Sequence, residues 1–279
     1  MSRNSSRMAT PSPSETQSAP PPQVVRHTAN TDMVDLPSKG RFYPSDHPLH
    51  NKESVEIRYM TARDEDTLTS PTLLKKGLAL DKFIQNILVD QTIRVDDLLV
   101  GDKSAIMIAA RITGYGPEYE VKVTCPECGT EAENTFDISE YEKYYIAPEP
   151  NGTGFTLRED GMFTATLPVS KGEVVVRLIT SKDEKRITKI TESKVKNNLL
   201  ESVTTDMLKT FIVSIDGVTQ QGDLEQLIMN MPARDSLFLR KNYSKLVPKV
   251  EMKEEYDCIY CGTITTLEVP LEAGFFWPE

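Results

Sequence analysis

Apolar and polar positions alternate in several short stretches of the chain, a pattern typical of half-buried β-strands. The clearest examples are residues 54–60, residues 119–125 and residues 263–271. We expect a partner strand over 133–138, and two or three further strands between residues 153 and 180. No repeat period is visible in this pattern.

Helical periodicity fills much of the remaining sequence. Ser70 is a suitable N-cap with Pro71 at the first helical position, and an apolar stripe follows as far as Leu88. A second helix is expected over 103–112, capped by Asp102. Three more are predicted, from a capping box at 181–184 to about residue 200, from 222 to 229, and from 232 to 246.

Two polar segments are expected to lie outside this core. Residues 1–30 are rich in Ser, Pro, Thr, Gln and Asn, so we predict a disordered tail, with a short docking peptide as the alternative. The cluster Arg63-Asp64-Glu65-Asp66 is expected to be a solvated turn before a helix, and a cation site is the alternative.

Composition narrows the classes of function. The net charge is −10 and the pI is about 5.0, which disfavours a duplex nucleic-acid binder because such proteins need a basic face. No apolar run reaches the length that spans a bilayer, and no apolar stretch follows Arg3 and Arg7. We therefore expect a cytoplasmic protein, whose cysteines are kept reduced.

The four cysteines are the strongest chemical signal. They form two Cys-x-x-Cys-Gly sequences, at 125–129 and 258–262, and each sequence follows a predicted strand. The two-residue spacer lets both thiolates face one metal, and glycine permits the tight turn. We therefore predict one structural Zn²⁺ in a closed four-thiolate site, with the ligands Cys125, Cys128, Cys258 and Cys261.

Alternatives to zinc remain at this point. Disulfides do not fit a reducing compartment, and a thioredoxin-like pair needs only one such motif. An iron–sulfur cluster also accepts four cysteines but usually has more compact spacings, so metal analysis is needed to separate iron from zinc. Unrelated buried thiols are the remaining alternative. About 130 residues separate the pairs, so the ribbon would be assembled from both ends of one domain.

These predictions combine into an α+β fold: a four-cysteine zinc ribbon with a large helical and β insert between its knuckles, plus an N-terminal helical region. The expected domains are a tail at 1–30, a strand and helical region at 31–116, a composite ribbon from 117–140 and 251–279, and an insert at 141–250.

Little in the sequence predicts catalysis. The histidines His27, His47 and His50 lie far in sequence from the cysteines, and a catalytic zinc site would need an open fourth position. No Walker loop, dinucleotide fingerprint or nucleophile elbow is present. We therefore expect a protein that is not an enzyme and has no small-molecule substrate.

Three stretches resemble a known family. They are residues 58–68, residues 231–240, and the second cysteine pair together with Phe275-Phe276-Trp277-Pro278. Together they resemble the baseplate hub proteins of contractile-tailed bacteriophages, over roughly residues 34–279. The resemblance implies a role in virion assembly, as a hub subunit or as a factor that builds the hub.

Candidate partner contacts follow from these stretches. Arg234, Asp235 and Arg240 are candidates for partner binding, and a capped helix with internal pairing is the alternative. The aromatic residues Phe275, Phe276 and Trp277 either anchor a partner or pack within the chain.

The expected partners are other phage tail or baseplate proteins, without nucleic acid or membrane. The expected location is the host cytoplasm during assembly. The baseplate of the virion tail is an additional location if the protein stays in the finished particle. The alternative function is a zinc-ribbon adaptor in transcription or nucleic-acid processing.

Overall fold

The computed structural model describes residues 30–196, 202–269 and 273–276. Residues 1–29, which hold almost all of the predicted tail, lie outside this part of the chain, as does Trp277. The described elements alternate between helices and antiparallel strands, and the α+β class is confirmed. None of the described helices combines the length and apolar character needed to cross a bilayer.

The helices of the described residues are α1 (Ala62–Thr69), α2 (Pro71–Lys75), α3 (Ala79–Ile87), α4 (Val100–Tyr115), α5 (Ser181–Lys196), α6 (Val203–Phe211), α7 (Gln221–Met229) and α8 (Ala233–Leu246). The strands are β1 (Thr31–Asp35), β2 (Ser54–Arg58), β3 (Glu118–Thr124), β4 (Glu131–Asp137), β5 (Tyr145–Ile146), β6 (Phe155–Leu157), β7 (Phe163–Thr166), β8 (Glu173–Val176), β9 (Ile212–Ile215), β10 (Lys249–Val250), β11 (Lys253–Asp257) and β12 (Ile264–Glu268).

The sheets are small and antiparallel. The pairs β1–β2, β3–β4, β5–β10 and β11–β12 are two-stranded, and β6–β7–β8–β9 is four-stranded. Such narrow sheets bury little by themselves, so the helices must cover them. One continuous hydrophobic cluster extends from Val34 in β1 to Phe276 and includes residues from nearly every larger element.

A similar order of elements occurs twice along the chain, and the second unit has the additional strands β9 and β10. A first unit, residues 31–137, runs from an antiparallel strand pair through helices to the β3–β4 hairpin, and a second unit, residues 163–268, runs likewise to the β11–β12 hairpin. The absence of a repeat period in the sequence pattern therefore does not exclude two similar units with unequal spacing. The second unit includes most of the residues predicted as an insert, 141–250, and these residues repeat the first unit's elements.

Short sequence motifs mark equivalent positions in the two units. After its first strand, the first unit has Leu-Pro-Ser-Lys-Gly at 36–40, and the second has Leu-Pro-Val-Ser-Lys-Gly at 167–172. The lysine of each motif has a left-handed backbone, with φ of 50° at Lys39 and 63° at Lys171. Positive φ is uncommon outside glycine, so its recurrence at one motif position indicates the same turn in both units.

An arginine and an aspartate fix the start of α1. Nη1 and Nη2 of Arg58 donate to the two carboxylate oxygens of Asp64 at 2.7 and 2.9 Å, and the amide and hydroxyl of Thr61 also donate to Asp64. Arg58 further donates to the Asn86 carbonyl at the end of α3. The prediction of a solvated turn at 63–66 is therefore wrong. These residues form the first turn of helix α1, and Asp64 is buried and paired with Arg58.

The second unit has the same arrangement at the start of α5. Arg177 donates to both oxygens of Asp183 at 2.6 and 2.8 Å, and the Thr180 amide and hydroxyl donate to the same carboxylate. Arg177 also donates to the Thr210 carbonyl near the end of α6. The helix is therefore capped by Thr180 with Asp183, one residue before the capping box predicted to begin at Ser181.

A buried aspartate in α4 holds the loop after β1. Asp102 accepts hydrogen bonds from the amide and hydroxyl of Ser38, at 3.0 and 2.6 Å, and from the Tyr43 hydroxyl at 2.7 Å. Burial raises the pKa of Asp102 although these hydrogen bonds oppose the shift. The prediction that Asp102 caps a helix beginning at residue 103 is wrong, because α4 already begins at Val100.

Asp235 has the equivalent place in α8. Its two carboxylate oxygens accept the amides of Val169 and Ser170 at 2.7 and 3.0 Å, within the second copy of the loop motif. Burial acts to raise the pKa of Asp235, but these amides outweigh it and lower the pKa. The side chain is 0% exposed, so its predicted role in partner binding is corrected to one within the chain.

Candidate metal centre

Two hairpins carry the cysteines at their tips. In the first, Thr124 of β3 pairs with Glu131 of β4, and in the second, Asp257 of β11 pairs with Ile264 of β12. Each pairing leaves a six-residue loop. The two loops share the sequence Cys-x-x-Cys-Gly-Thr, so the threonine extends the pattern seen from the sequence.

The first loop is a tight knuckle closed by backbone hydrogen bonds. The Cys125 amide donates to the Thr130 carbonyl at 3.0 Å, and the Gly129 amide donates to the Cys125 carbonyl at 2.9 Å. Gly129 has φ of 70°, in the left-handed region that favours glycine. The closing glycine therefore allows the chain to return into β4 directly after the second thiol.

The second loop reproduces this geometry. The Cys258 amide donates to the Thr263 carbonyl at 3.1 Å, the Gly262 amide donates to the Cys258 carbonyl at 2.8 Å, and Gly262 has φ of 69°. The tips are therefore two copies of one knuckle, one from each unit.

The knuckles bring the four sulfur atoms together. All four lie within 4.8 Å of one another, and the Cys125–Cys261 and Cys128–Cys258 sulfur pairs are each 3.8 Å apart. Zinc–thiolate bonds of about 2.3 Å in a tetrahedron put the sulfurs about 3.8 Å apart. A disulfide would need about 2.05 Å. The spacing and the donor set therefore both fit a four-thiolate zinc site.

Electrostatics within the cluster also suit a cation. The backbone amides of Cys261 and Tyr260 favour the Cys258 thiolate and lower its pKa to about 6. The Cys128 amide acts in the same direction on Cys125, but burial and the nearby Cys128 and Cys258 sulfurs outweigh it and raise the pKa of Cys125 to about 11. Crowded thiolates repel one another, and a bound dication would relieve that repulsion.

Each knuckle has one buried and one exposed cysteine. Cys125 and Cys258 are 0% exposed, whereas Cys128 and Cys261 are exposed. Tyr256 lies just before the second knuckle with its ring buried. Four cysteine sulfurs that converge on one point match the donor set of a structural tetrahedral zinc site.

Arg111 anchors the first hairpin to α4, and no sequence pattern predicts this role. Its guanidinium is almost fully buried and donates to the Gly116 carbonyl at 2.8 Å and the Glu118 carbonyl at 3.1 Å. Because these carbonyls lie where α4 ends and β3 begins, the arginine fixes the direction in which the hairpin leaves the helix.

The aromatic C-terminus packs inside the protein. Phe275 and Phe276 are each 2% exposed, and their rings meet Tyr119 and Phe83 edge-on at centroid distances of 5.0 and 5.3 Å. Side chains without exposed surface cannot anchor a partner, so that predicted role is corrected for these two. Trp277 lies outside the described residues.

The remaining candidates are spread over other parts of the surface. Arg234 is exposed and Arg240 is half-buried, so of the partner-binding candidates in α8 these two offer exposed surface. His47 stacks on Tyr43 in the loop after β1, and His50 bonds the Tyr43 carbonyl. Within the part of the chain that the structure describes, the four cysteines form the one cluster able to hold a metal ion.

Comparison with known proteins identifies one matching family. A family model described as T4 bacteriophage base plate protein matches residues 28–277. The chain has no match among the curated proteins or the solved structures compared with it. The family match includes both units and both knuckles, and it supports a structural part of a phage baseplate. The chain therefore belongs to the T4 bacteriophage base plate protein family.

Proposed function

We propose that this chain builds the hub of a contractile-tail baseplate, as a hub subunit or as a hub assembly factor, and that one structural zinc ion stabilises it. The family match over residues 28–277 is the observation on which the proposal depends. The resemblance of residues 58–68 and 231–240 to hub proteins narrows the baseplate role to the hub.

Cys125, Cys128, Cys258 and Cys261 would hold the zinc ion. A bound zinc supplies no reaction here; it joins the tips of two hairpins that belong to different units. Metal binding in small zinc domains contributes on the order of 10 kcal/mol to folding, which is comparable to the whole stability of an ordinary domain. The protein would then present a fixed arrangement of its two units to the other baseplate proteins.

The adaptor alternative receives no support from the family match. The hairpins around the cysteines are mainly acidic, and an acidic surface repels phosphate. The expected partners are therefore other tail or baseplate proteins, and the expected location is the host cytoplasm during assembly. A lasting place in the virion tail is the additional outcome if the chain is a hub subunit.

A phage that lacks this gene tests the proposal. Infected cells supplied with the wild-type chain from a plasmid should yield complete tails, whereas cells supplied with none should accumulate baseplate parts without a hub. Electron microscopy and gradient sedimentation of the lysates measure this. Normal infectious particles in the absence of the chain would contradict the proposal. Mass spectrometry of purified virions then separates a hub subunit, which is retained, from an assembly factor, which is absent.

A further inference from the structure

The two knuckles differ at their solvent-facing positions. The first has Pro126 and Glu127 between its cysteines and Glu131 at the start of β4. The second has apolar or aromatic residues at the equivalent positions: Ile259 is 81% exposed, Tyr260 62% and Ile264 63%. We call these three residues the apolar tip.

The metal site does not require the apolar tip. In the second knuckle the amides of Tyr260 and Cys261 face the Cys258 sulfur, and in the first the amides of Glu127 and Cys128 face the Cys125 sulfur. The first spacer position needs no amide, since proline occupies it in the first knuckle. The first knuckle therefore shows that this backbone forms with proline and glutamates at the equivalent positions.

The fold leaves the apolar tip in water. Isolated exposed apolar residues are ordinary, but three within six residues of one hairpin favour an interaction site. Tyrosine is among the residues enriched at the energetic centre of protein interfaces. Because the first knuckle offers no such group, only the second hairpin's tip has this character.

The surroundings of the tip are strongly acidic. The two hairpins, residues 118–137 and 253–268, contain ten acidic and two basic residues, a net −8 of the chain's −10. Glu127, Glu131 and Asp257 lie at the knuckle ends of the hairpins and are exposed. An acidic rim disfavours nucleic acid and anionic lipid, and it favours a protein surface on which lysine and arginine surround an apolar recess.

We propose that the apolar tip, Ile259, Tyr260 and Ile264, docks into an apolar recess rimmed by lysine and arginine on another baseplate protein. The inference rests on the proposed function for the class of its partner. The tip fills the recess, and the acidic rim orients the approach. Binding is therefore dominated by apolar contacts and survives moderate salt, while its rate of formation falls as salt screens the rim.

The first knuckle supplies the matched variant. Replacing the tip by its counterparts, Ile259→Pro with Tyr260→Glu and Ile264→Glu, keeps the knuckle sequence already used at residues 126–131. The variant is expected to retain one zinc per chain and its melting temperature, and to lose at least tenfold in co-purification with tail proteins from infected cells. Undiminished co-purification would overturn the inference, and co-purification of no tail protein with the wild-type chain would instead contradict the proposed function.

A photo-crosslinker identifies the occupant directly and leaves the rest of the tip unchanged. Benzoylphenylalanine is placed at Tyr260 in one chain and at Glu127 in a control chain, and each is expressed during infection. Position 260 is expected to give at least tenfold more crosslink, to a peptide of another tail protein that has apolar residues beside lysine or arginine. Crosslinks to a second copy of this chain, equal yields from both positions, or no crosslink at position 260 would each overturn the inference.

Discussion

Asp64 shows how single residues make the fold depend on pH. Burial acts to raise its pKa, but hydrogen bonds from Arg58 and Thr61 outweigh burial and hold the pKa below the ordinary value. Asp183 behaves in the same way with Arg177 and Thr180. A carboxyl whose folded pKa is lowered stabilises the fold above its unfolded pKa of about 4, and that stability is lost as pH falls through the folded pKa.

The variant Asp64→Asn tests this. At neutral pH it should lower the free energy of unfolding by about 1.5–3 kcal/mol, because hydrogen bonds to a charged group are lost. Below pH 4 the difference from wild type should shrink, since the wild-type carboxylate becomes protonated there. Chemical unfolding across pH measures both effects. Asp66→Asn, at an exposed position of the same helix, is the control and should change little. A pH-independent difference would contradict the account.

The variant Cys258→Ser tests whether this cysteine binds zinc. Because it is a buried ligand of the proposed site, Cys258→Ser should lose the zinc and lower the melting temperature by about 10 °C or more. Elemental analysis and thermal unfolding are the measurements. A strong chelator should destabilise the wild type and leave the variant unaffected. Glu127→Ala, an exposed change in the other knuckle, should retain metal and stability; equal metal content in both variants would exclude Cys258 as a ligand.

Local sequence patterns predict the cysteine knuckles but not the roles of the buried aspartates. The Cys-x-x-Cys-Gly spacing is a local signal, and the knuckles form at the predicted positions. The sequence pattern predicts a cap at Asp102 and a surface contact at Asp235, whereas both are buried acceptors for loops more than 60 residues away. Nothing local distinguishes a capping aspartate from one that reaches across the fold, because the difference lies in the distant donors.

At the scale of elements, the knuckle depends on its glycine. A methyl group on Gly129 or Gly262 would meet nothing within 4 Å, so substitution there strains only the backbone. Gly262→Ala should therefore lower the free energy of unfolding by about 1–2 kcal/mol. Gly222→Ala in α7, also free of contacts within 4 Å, should stabilise slightly because alanine favours helix. Thermal unfolding measures whether each substitution raises or lowers the stability. A Gly262→Ala variant as stable as the wild type would contradict the left-handed turn.

The short 3-10 turn at Ala273–Phe276 closes the hydrophobic core. Phe275 packs against Tyr119 of β3 and Phe276 against Phe83 of α3, so the turn joins the first hairpin to the first unit's helices. Each of Phe275→Ala and Phe276→Ala should cost about 3–5 kcal/mol, measured by chemical unfolding. Tyr260→Ala, at an exposed aromatic position, is the control. A stable Phe275→Ala protein that loses partner binding would restore the anchor role.

Predictions for elements succeeded where the signal is periodic. Strand β2, the β3–β4 hairpin, and the helix with Pro71 at its first position lie close to where the pattern places them. Helix α1 was missed because its run of charged residues is typical of a turn. Its helical start depends on the Arg58–Asp64 ion pair, which reaches back into β2 and has no periodic signature.

At the scale of the whole molecule, the repeat of two units was missed. Only short motifs recur: Leu-Pro with Ser-Lys-Gly after a strand, Arg-x-x-Thr-x-x-Asp at a helix start, and Cys-x-x-Cys-Gly-Thr at a hairpin tip. The spacing between them changes from one unit to the other, so no fixed period exists. Each motif makes the same backbone contact in both units, so its residues recur. Core positions accept different apolar residues of similar volume, so the rest of the two sequences differs.

The repeat explains the long separation of the cysteine pairs. Each unit ends in its own hairpin, so the gap contains the connecting residues 138–162 and most of the second unit. The proposed zinc would then join like parts of two similar halves. Metal binding should accordingly couple the units: the holo protein should unfold in one transition, and removal of metal should weaken this cooperativity. Calorimetry with and without a chelator measures this, and identical single transitions would contradict the coupling.

Zinc X-ray absorption spectroscopy on the purified full-length chain shows whether one zinc ion bound by four thiolates joins the two units. We expect one zinc per chain with four sulfur ligands at about 2.3 Å. A first shell containing nitrogen or oxygen, or iron in place of zinc, would contradict this expectation.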